Sequence, residues 1–249
     1  IAAYQEWMPQ VHMDFHEQGF NNNYFAMPGT TPRNLELPAD YDKWADAFGR
    51  GLIEEFDEAN VNYATREAFD FFYPGYGSSY PSVMGGIGML AEQGGHSRGG
   101  RAVETDDEYV LTLRQRVFDH YTNGVSIVKT AAENKEGLLS YFKNSVSQSS
   151  QKGNTKAYIL PNDENDYTYQ VVNMLMKHGV KVERATQNFT QRDSYNYWDG
   201  NSTNQSFEAG DFIIKTDQPK HLFINTLFRK QMEIEDSVMY DMSTWSVPL

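Results

Sequence analysis

The stretch Val11-His-Met-Asp-Phe-His-Glu-Gln-Gly19 decides how this chain is read. Val11, Met13 and Phe15 alternate with His12, Asp14 and His16, the period-two pattern of a strand with one face buried. Pro9 and Gly19 bound it. An apolar strand that runs into His-Glu-Gln-Gly, followed by Asn21, Asn22, Asn23 and two aromatics, looks like the floor of a site.

A second run matches it. Val83 to Leu90 is short and almost wholly apolar, fit for a buried strand, and ends in Ala91-Glu-Gln-Gly-Gly95. His16 and Glu92 thus each sit at the close of an apolar segment. In open α/β sheets ligands gather at the carboxyl ends of strands, so both can face one crevice. A neutral imidazole is a common metal ligand, and a carboxylate beside a metal-bound water can act as a general base. Asp14, on the same strand face as His16, is placed to fix the imidazole from behind. Taken singly, His16 is also a plausible structural hydrogen-bonder and Glu92 a solvated loop acid.

The remaining organisation is predicted from periodicity. Residues 17–39 read as a long ordered loop. Asp40 heads a helix with Tyr41, Trp44, Ala45, Phe48, Leu52 and Phe56 on one stripe. Residues 69–80 form an aromatic, glycine-rich loop in which Tyr73, Tyr76 and Tyr80 either line a pocket or pack on each other. Thr105-Asp-Asp-Glu108 reads as a capping box, opening a helix with Val110, Leu113, Val117, Tyr121, Val125 and Val128 on its apolar stripe. A further helix covers about 135–147. His96, Arg98 and Arg101, in and beside the glycine-rich segment that follows Glu92, can bind a carboxylate, or simply decorate a surface loop.

A polar linker, placed at 149–155, separates residues 1–148 from 156–249. Beyond it, a strand at 157–160, a helix at 166–178 and a strand at 180–184 predict a smaller β-α-β unit with parallel strands, followed by a strand at 211–214 and a helix at 219–231. The fold class expected is α/β, a mixed sheet flanked by helices followed by this smaller unit.

Composition sets limits. With 249 residues, 39% of them hydrophobic, the chain can bury a core. A net charge of −13 argues against nucleic acid or an anionic membrane as partner. The absence of cysteine rules out thiolate metal sites and cysteine nucleophiles. No apolar run is long enough to span a bilayer. Glu17 after His16 suggests H-E-x-x-H, but Phe20 breaks that zinc motif.

"VHMDFHEQG", with "NNNYF" behind it and "MGGIGMLAEQGG" farther on, resembles the C-terminal half of zinc carboxypeptidases. The resemblance covers residues 1 to about 140 and implies an α/β/α fold with a mixed sheet. It makes His16 the third zinc ligand, with Asp14 behind it. It makes Glu92 the general base that takes a proton from the zinc-bound water, and leaves Tyr73, Tyr76 and Tyr80 as candidates for the tyrosine that closes on substrate. The cofactor implied is Zn2+, and the substrate a peptide or cell-wall peptide outside the cytoplasm. The family's H-x-x-E pair occurs nowhere here, so the resemblance implies an incomplete and inactive piece, completed by the same polypeptide upstream and downstream. "GDFIIKTDQP" and "DSVMYDMSTWSVPL" resemble the region leading toward a module similar to class I glutamine amidotransferases. The alternative expectation is a peptidase-like binding module without catalysis.

Overall fold

A computed structural model describes residues 1–95, 99–147, 152–163 and 166–234. Arg98, with His96, lies outside the described residues, as does the segment from Asp236 to Leu249. The chain is a mixed α/β protein whose described residues form two compact units, one built on Pro9–Lys143 and the other on Ile1–Met8 and Asn144–Met232.

The first unit is organised by a four-stranded mixed sheet in the order β1 (Val11–Gln18), β6 (Ile87–Gly94), β2 (Tyr24–Phe25), β4 (Tyr63–Ala64). Short pairs accompany it: β3 (Thr30–Arg33) with β5 (Asp70–Phe71), and β7 (Ala102–Glu104) with β8 (Val110–Thr112). β1 and β6 run parallel in unbroken register from Val11↔Ile87 to Gln18↔Gly94, while β2 pairs with β6 antiparallel. Every residue of β6 is buried, as expected of a strand enclosed on both faces. Both strands run farther than expected, so His16 and Glu92 lie inside them, near their carboxyl ends, rather than after them. The apolar pattern stops at Phe15 and Ala91, but the parallel ladder does not. Val83, read as the start of the second strand, instead ends a short helix, α3 (Tyr80–Val83).

Helix α2 (Tyr41–Ala59) buries the predicted stripe of Tyr41, Trp44, Ala45, Phe48, Leu52 and Phe56, with Asp40 at its N-cap position but making no side-chain capping bond. The core beneath it joins Tyr24, Ala26, Leu52, Phe56, Val61 and Ala91.

Two expectations need correction. Thr105–Glu108 does not cap a helix: it is the turn of the β7–β8 hairpin, closed by Thr105 N donating to Tyr109 O and Glu108 N donating to Thr105 O. The helix starts later, as α4 (Leu113–Glu133), capped by Thr112, whose Oγ1 accepts from Gln115 N at 3.1 Å. Its orientation is also reversed. Arg116, Asp119, Thr122, Asn123, Ser126 and Thr130 face inward, whereas Val117, Tyr121 and Val128 are 61%, 70% and 69% exposed. The inward polar groups are tolerated because several find partners, such as Asn123 Nδ2 donating to Tyr24 Oη at 2.7 Å. Helix α5 (Lys135–Ser145) follows as predicted, with Tyr141 edge-on to Trp44.

In the second unit, helix α1 (Ala2–Trp7) accompanies a three-stranded sheet ordered β10 (Glu183–Arg184), β13 (Phe212–Lys215), β9 (Ala157–Leu160). Both β9 and β10 pair with β13 antiparallel. The parallel pairing expected of the β9–α6–β10 unit (α6, Asp166–Lys177) is therefore overturned: β13 takes the place between them. A hairpin of β11 (Phe189–Tyr195) and β12 (Ser202–Phe207), not foreseen in the sequence, and the buried helix α7 (His221–Phe228) complete the unit. Tyr158 of β9 stacks on Phe228 of α7.

Candidate functional site

The parallel ladder sets His16 directly beside Glu92, and β2 sets Phe25 opposite Glu92 on its other side. Asp14 and His16, two residues apart, share a strand face. The His16 ring lies between two carboxylates: Nε2 is 3.2 Å from Asp14 Oδ1, and Nδ1 is 3.6 Å from Glu92 Oε1. The ring is 57% exposed, while Glu92 is only 7% exposed overall.

Burial pushes the Glu92 carboxyl above its ordinary value, His16 pulls it back and Asp14 pushes it further up. Its Oε2 is buried without a hydrogen-bond partner among the described residues. An oxygen in that condition is a ready proton acceptor. The Glu92 backbone is held by Gln18, whose Nε2 donates to Glu92 O at 3.1 Å and to Asn23 O at 2.7 Å.

A relay of polar side chains supports His16 from beneath. Asn123 donates to Tyr24 Oη, and Tyr24 Oη lies 2.9 Å from His120 Nδ1. With Nδ1 receiving the tyrosine proton, the other ring nitrogen of His120 donates to the His16 backbone carbonyl. Burial lowers the His120 pKa, which keeps the ring neutral for this role. Phe15 meets His120 edge-on at 5.1 Å.

The aromatic loop reaches the site through Gly77, where a Cβ would lie 2.2 Å from Asp14 Oδ2. A side chain there would displace the Asp14 carboxylate from its place beside His16. Tyr73 and Tyr76 meet edge-on at 5.0 Å in the same loop, and all three candidate tyrosines are half-buried.

Arg116 escaped notice in the sequence because it reads as the solvent side of an amphipathic helix. It is buried at the end of β1, donating through Nη1 to Glu17 Oε1 at 3.2 Å and through Nη2 to Gly100 O. Asp119, also missed, accepts from Gln115 Nε2 at 2.6 Å and from the Gln93 side chain.

As a metal site the donor set is partial. His16 offers one imidazole, but no group of three His, Asp or Glu side chains capable of holding an ion exists among the described residues. Compared with protein-family models, curated proteins and solved structures, the chain matches none.

Proposed function

We propose that this chain carries part of the active site of a zinc-dependent metallopeptidase that hydrolyses peptide or cell-wall peptide bonds in the manner of carboxypeptidases. The observation that carries the reading is the His16–Glu92 pair across neighbouring parallel strands, 3.6 Å apart, with one Glu92 oxygen buried and unpartnered. The sequence resemblance assigns the same two residues to metal binding and general base catalysis.

In this reading His16 holds one corner of the cation and Asp14 orients the ring. Zn2+ held by a full ligand set would supply a water acidified toward neutral pH. Glu92 accepts a proton at Oε2, which its raised pKa favours. One imidazole does not hold zinc alone, because a stable site uses three or four protein ligands. The other ligands therefore come from the rest of the same polypeptide, and the 249-residue chain by itself is inactive. The edge of β1, unpaired among the described residues, and the exposed apolar face of α4 offer a surface for that part to pack against.

The alternative reading is a peptidase-like module that binds without cleaving. Hydrolysis of blocked dipeptides by full-length protein separates the two. Catalysis predicts turnover that falls at least ~100-fold in Glu92→Gln with zinc content unchanged. Wild-type rates in Glu92→Gln exclude a base at this position, and a zinc-free full-length protein that binds peptide without turnover selects the binding module.

A further inference from the structure

The second unit contains a cavity of about 1160 Å3 that the peptidase reading does not use. One wall is the unbroken run Asn154–Pro161, which includes all of β9. Successive residues of a strand point to opposite faces, so a space touched by every one of them lies along the strand's edge, not over a face. Among the described residues β9 is an edge strand, paired on one side only.

The hydrogen-bond phase of that edge follows from one contact. Thr216 N donates to Lys156 O at 3.0 Å, which makes Lys156 and Thr216 a bonded pair of the β9–β13 ladder. Bonded and non-bonded pairs alternate in antiparallel sheets. Tyr158 and Leu160 therefore spend their backbone groups on β13. Ala157 and Ile159 turn theirs toward the cavity, where no partner strand lies among the described residues.

The cavity is also lined by the β11–β12 hairpin with its connecting turn and by α6, and each contributes a large aromatic side chain. Trp198 is 76% exposed and Tyr167 of α6 is 72% exposed. Trp198 is held there by its loop. Asn196 Oδ1 accepts from Trp198 N at 2.8 Å and from Asp199 N at 3.2 Å, and Tyr197 Oη donates to Phe228 O beneath. A hydrogen-bonded loop that presents tryptophan to water is suited to anchor a partner.

Charge narrows the partner. In a chain of net charge −13, the ionised groups lining this cavity are Lys156, Arg229 and Lys230 against Asp163 and Asp193, a surplus of one positive charge. Nucleic acid would need a denser basic surface. Free backbone donors and acceptors, aromatic anchors and a local positive surplus suit an extended polypeptide bearing a carboxylate. At ~3.3 Å per residue, four to six residues span β9 and its flanks.

We propose that this cavity is a peptide-binding groove in which an extended, carboxylate-bearing polypeptide segment adds as a strand to the free edge of β9, with Trp198 and Tyr167 as its side-chain anchors. The groove binds without cleaving, so the proposal stands whether or not the peptidase reading does.

The test uses the 249-residue chain, immobilised and exposed to a pool of random N-acetylated hexapeptides with free carboxyl termini. Enriched peptides are sequenced by mass spectrometry and titrated by calorimetry. Ile159→Pro removes only the outward-facing N–H and no β13 bond, so it is expected to fold and to weaken binding at least ~10-fold. Ile159→Val, which keeps that N–H, should bind as wild type, and Trp198→Ala should lose ~10-fold or more. The winning peptide with alternate backbone nitrogens methylated should fail to bind, a result that does not depend on any variant folding. No enrichment from the pool, undiminished binding of the N-methylated peptide, or binding of the β-1,4-linked N-acetylglucosamine tetramer where no peptide binds would each overturn the proposal.

Discussion

Asp119→Asn should stabilise the protein at neutral pH and not at acid pH. Asp119 is 3% exposed on the inward face of α4, and burial raises its carboxyl from the ordinary 3.8 to about 6 against the lowering effect of bonds from Gln115 and Gln93. Because the folded-state value is the higher one, the folded protein prefers the protonated acid. The penalty for holding the charge is absent below pH 3.8, grows as pH rises toward 6, and is complete above it. A rise of that size corresponds to roughly 3 kcal/mol. Residual screening by solvent roughly halves it, to about 1.5 kcal/mol. Asparagine keeps the shape, and its oxygen can still accept from Gln115. With the Gln93 amide turned over, its new NH2 can donate to Gln93 Oε1, which is otherwise buried without a partner. Thermal melts of both proteins at pH 4, 5, 6 and 7.5 should give equal midpoints at pH 4 and a gain of about 4 °C for the variant at pH 7.5. A gain that does not change with pH, or a loss at pH 7.5, refutes the account of a strained buried carboxylate.

Three further outcomes follow from the packing. Tyr24→Phe deletes the hydroxyl joining Asn123 to His120 and strands two buried polar groups; urea melts should show a loss of about 1–3 kcal/mol, and a neutral result would dismiss the relay. Gly88→Ala puts a Cβ 1.8 Å from the backbone oxygen of Ser78, which cannot swing away, so the unfolding free energy from urea melts should drop by about 3 kcal/mol, and a change below about 1 kcal/mol would mean the strand is not so tightly backed. Val117→Lys and Tyr121→Lys in the 249-residue chain should each alter stability by no more than about 0.5 kcal/mol because both side chains face solvent; a loss above about 2 kcal/mol from either would restore them to a core.

The contrast between α2 and α4 shows what the sequence conveys and what it withholds. Both carry apolar residues at helical spacing, and both are helices. Periodicity reports that a stripe exists but not which side of the helix meets the sheet. In α2 the stripe covers the core beside Tyr24 and Ala91. In α4 the inward side is polar, and what makes that tolerable is a set of partners remote in the chain: Tyr24 for Asn123 and Glu17 for Arg116, each 99 positions away. Pairings at that distance leave no local mark. For the same reason Arg116 and Asp119 could not be found by pattern, whereas His16 and Glu92 could, each closing an apolar run.

The second unit withholds more. The strand at 157–160 and the one at 212–215 were readable from their apolar residues, yet nothing in their order says that the later strand slips between β9 and β10. The β11–β12 hairpin is polar along most of its length and gives no alternation to detect. β13's central place has a direct consequence, since occupying the middle of the sheet leaves β9 at the rim with Ala157 and Ile159 facing outward. Had β9 stood between β10 and β13 instead, that edge would have been taken. The free edge beside the aromatic cavity is thus a product of topology, and it became visible only when the strand order was known.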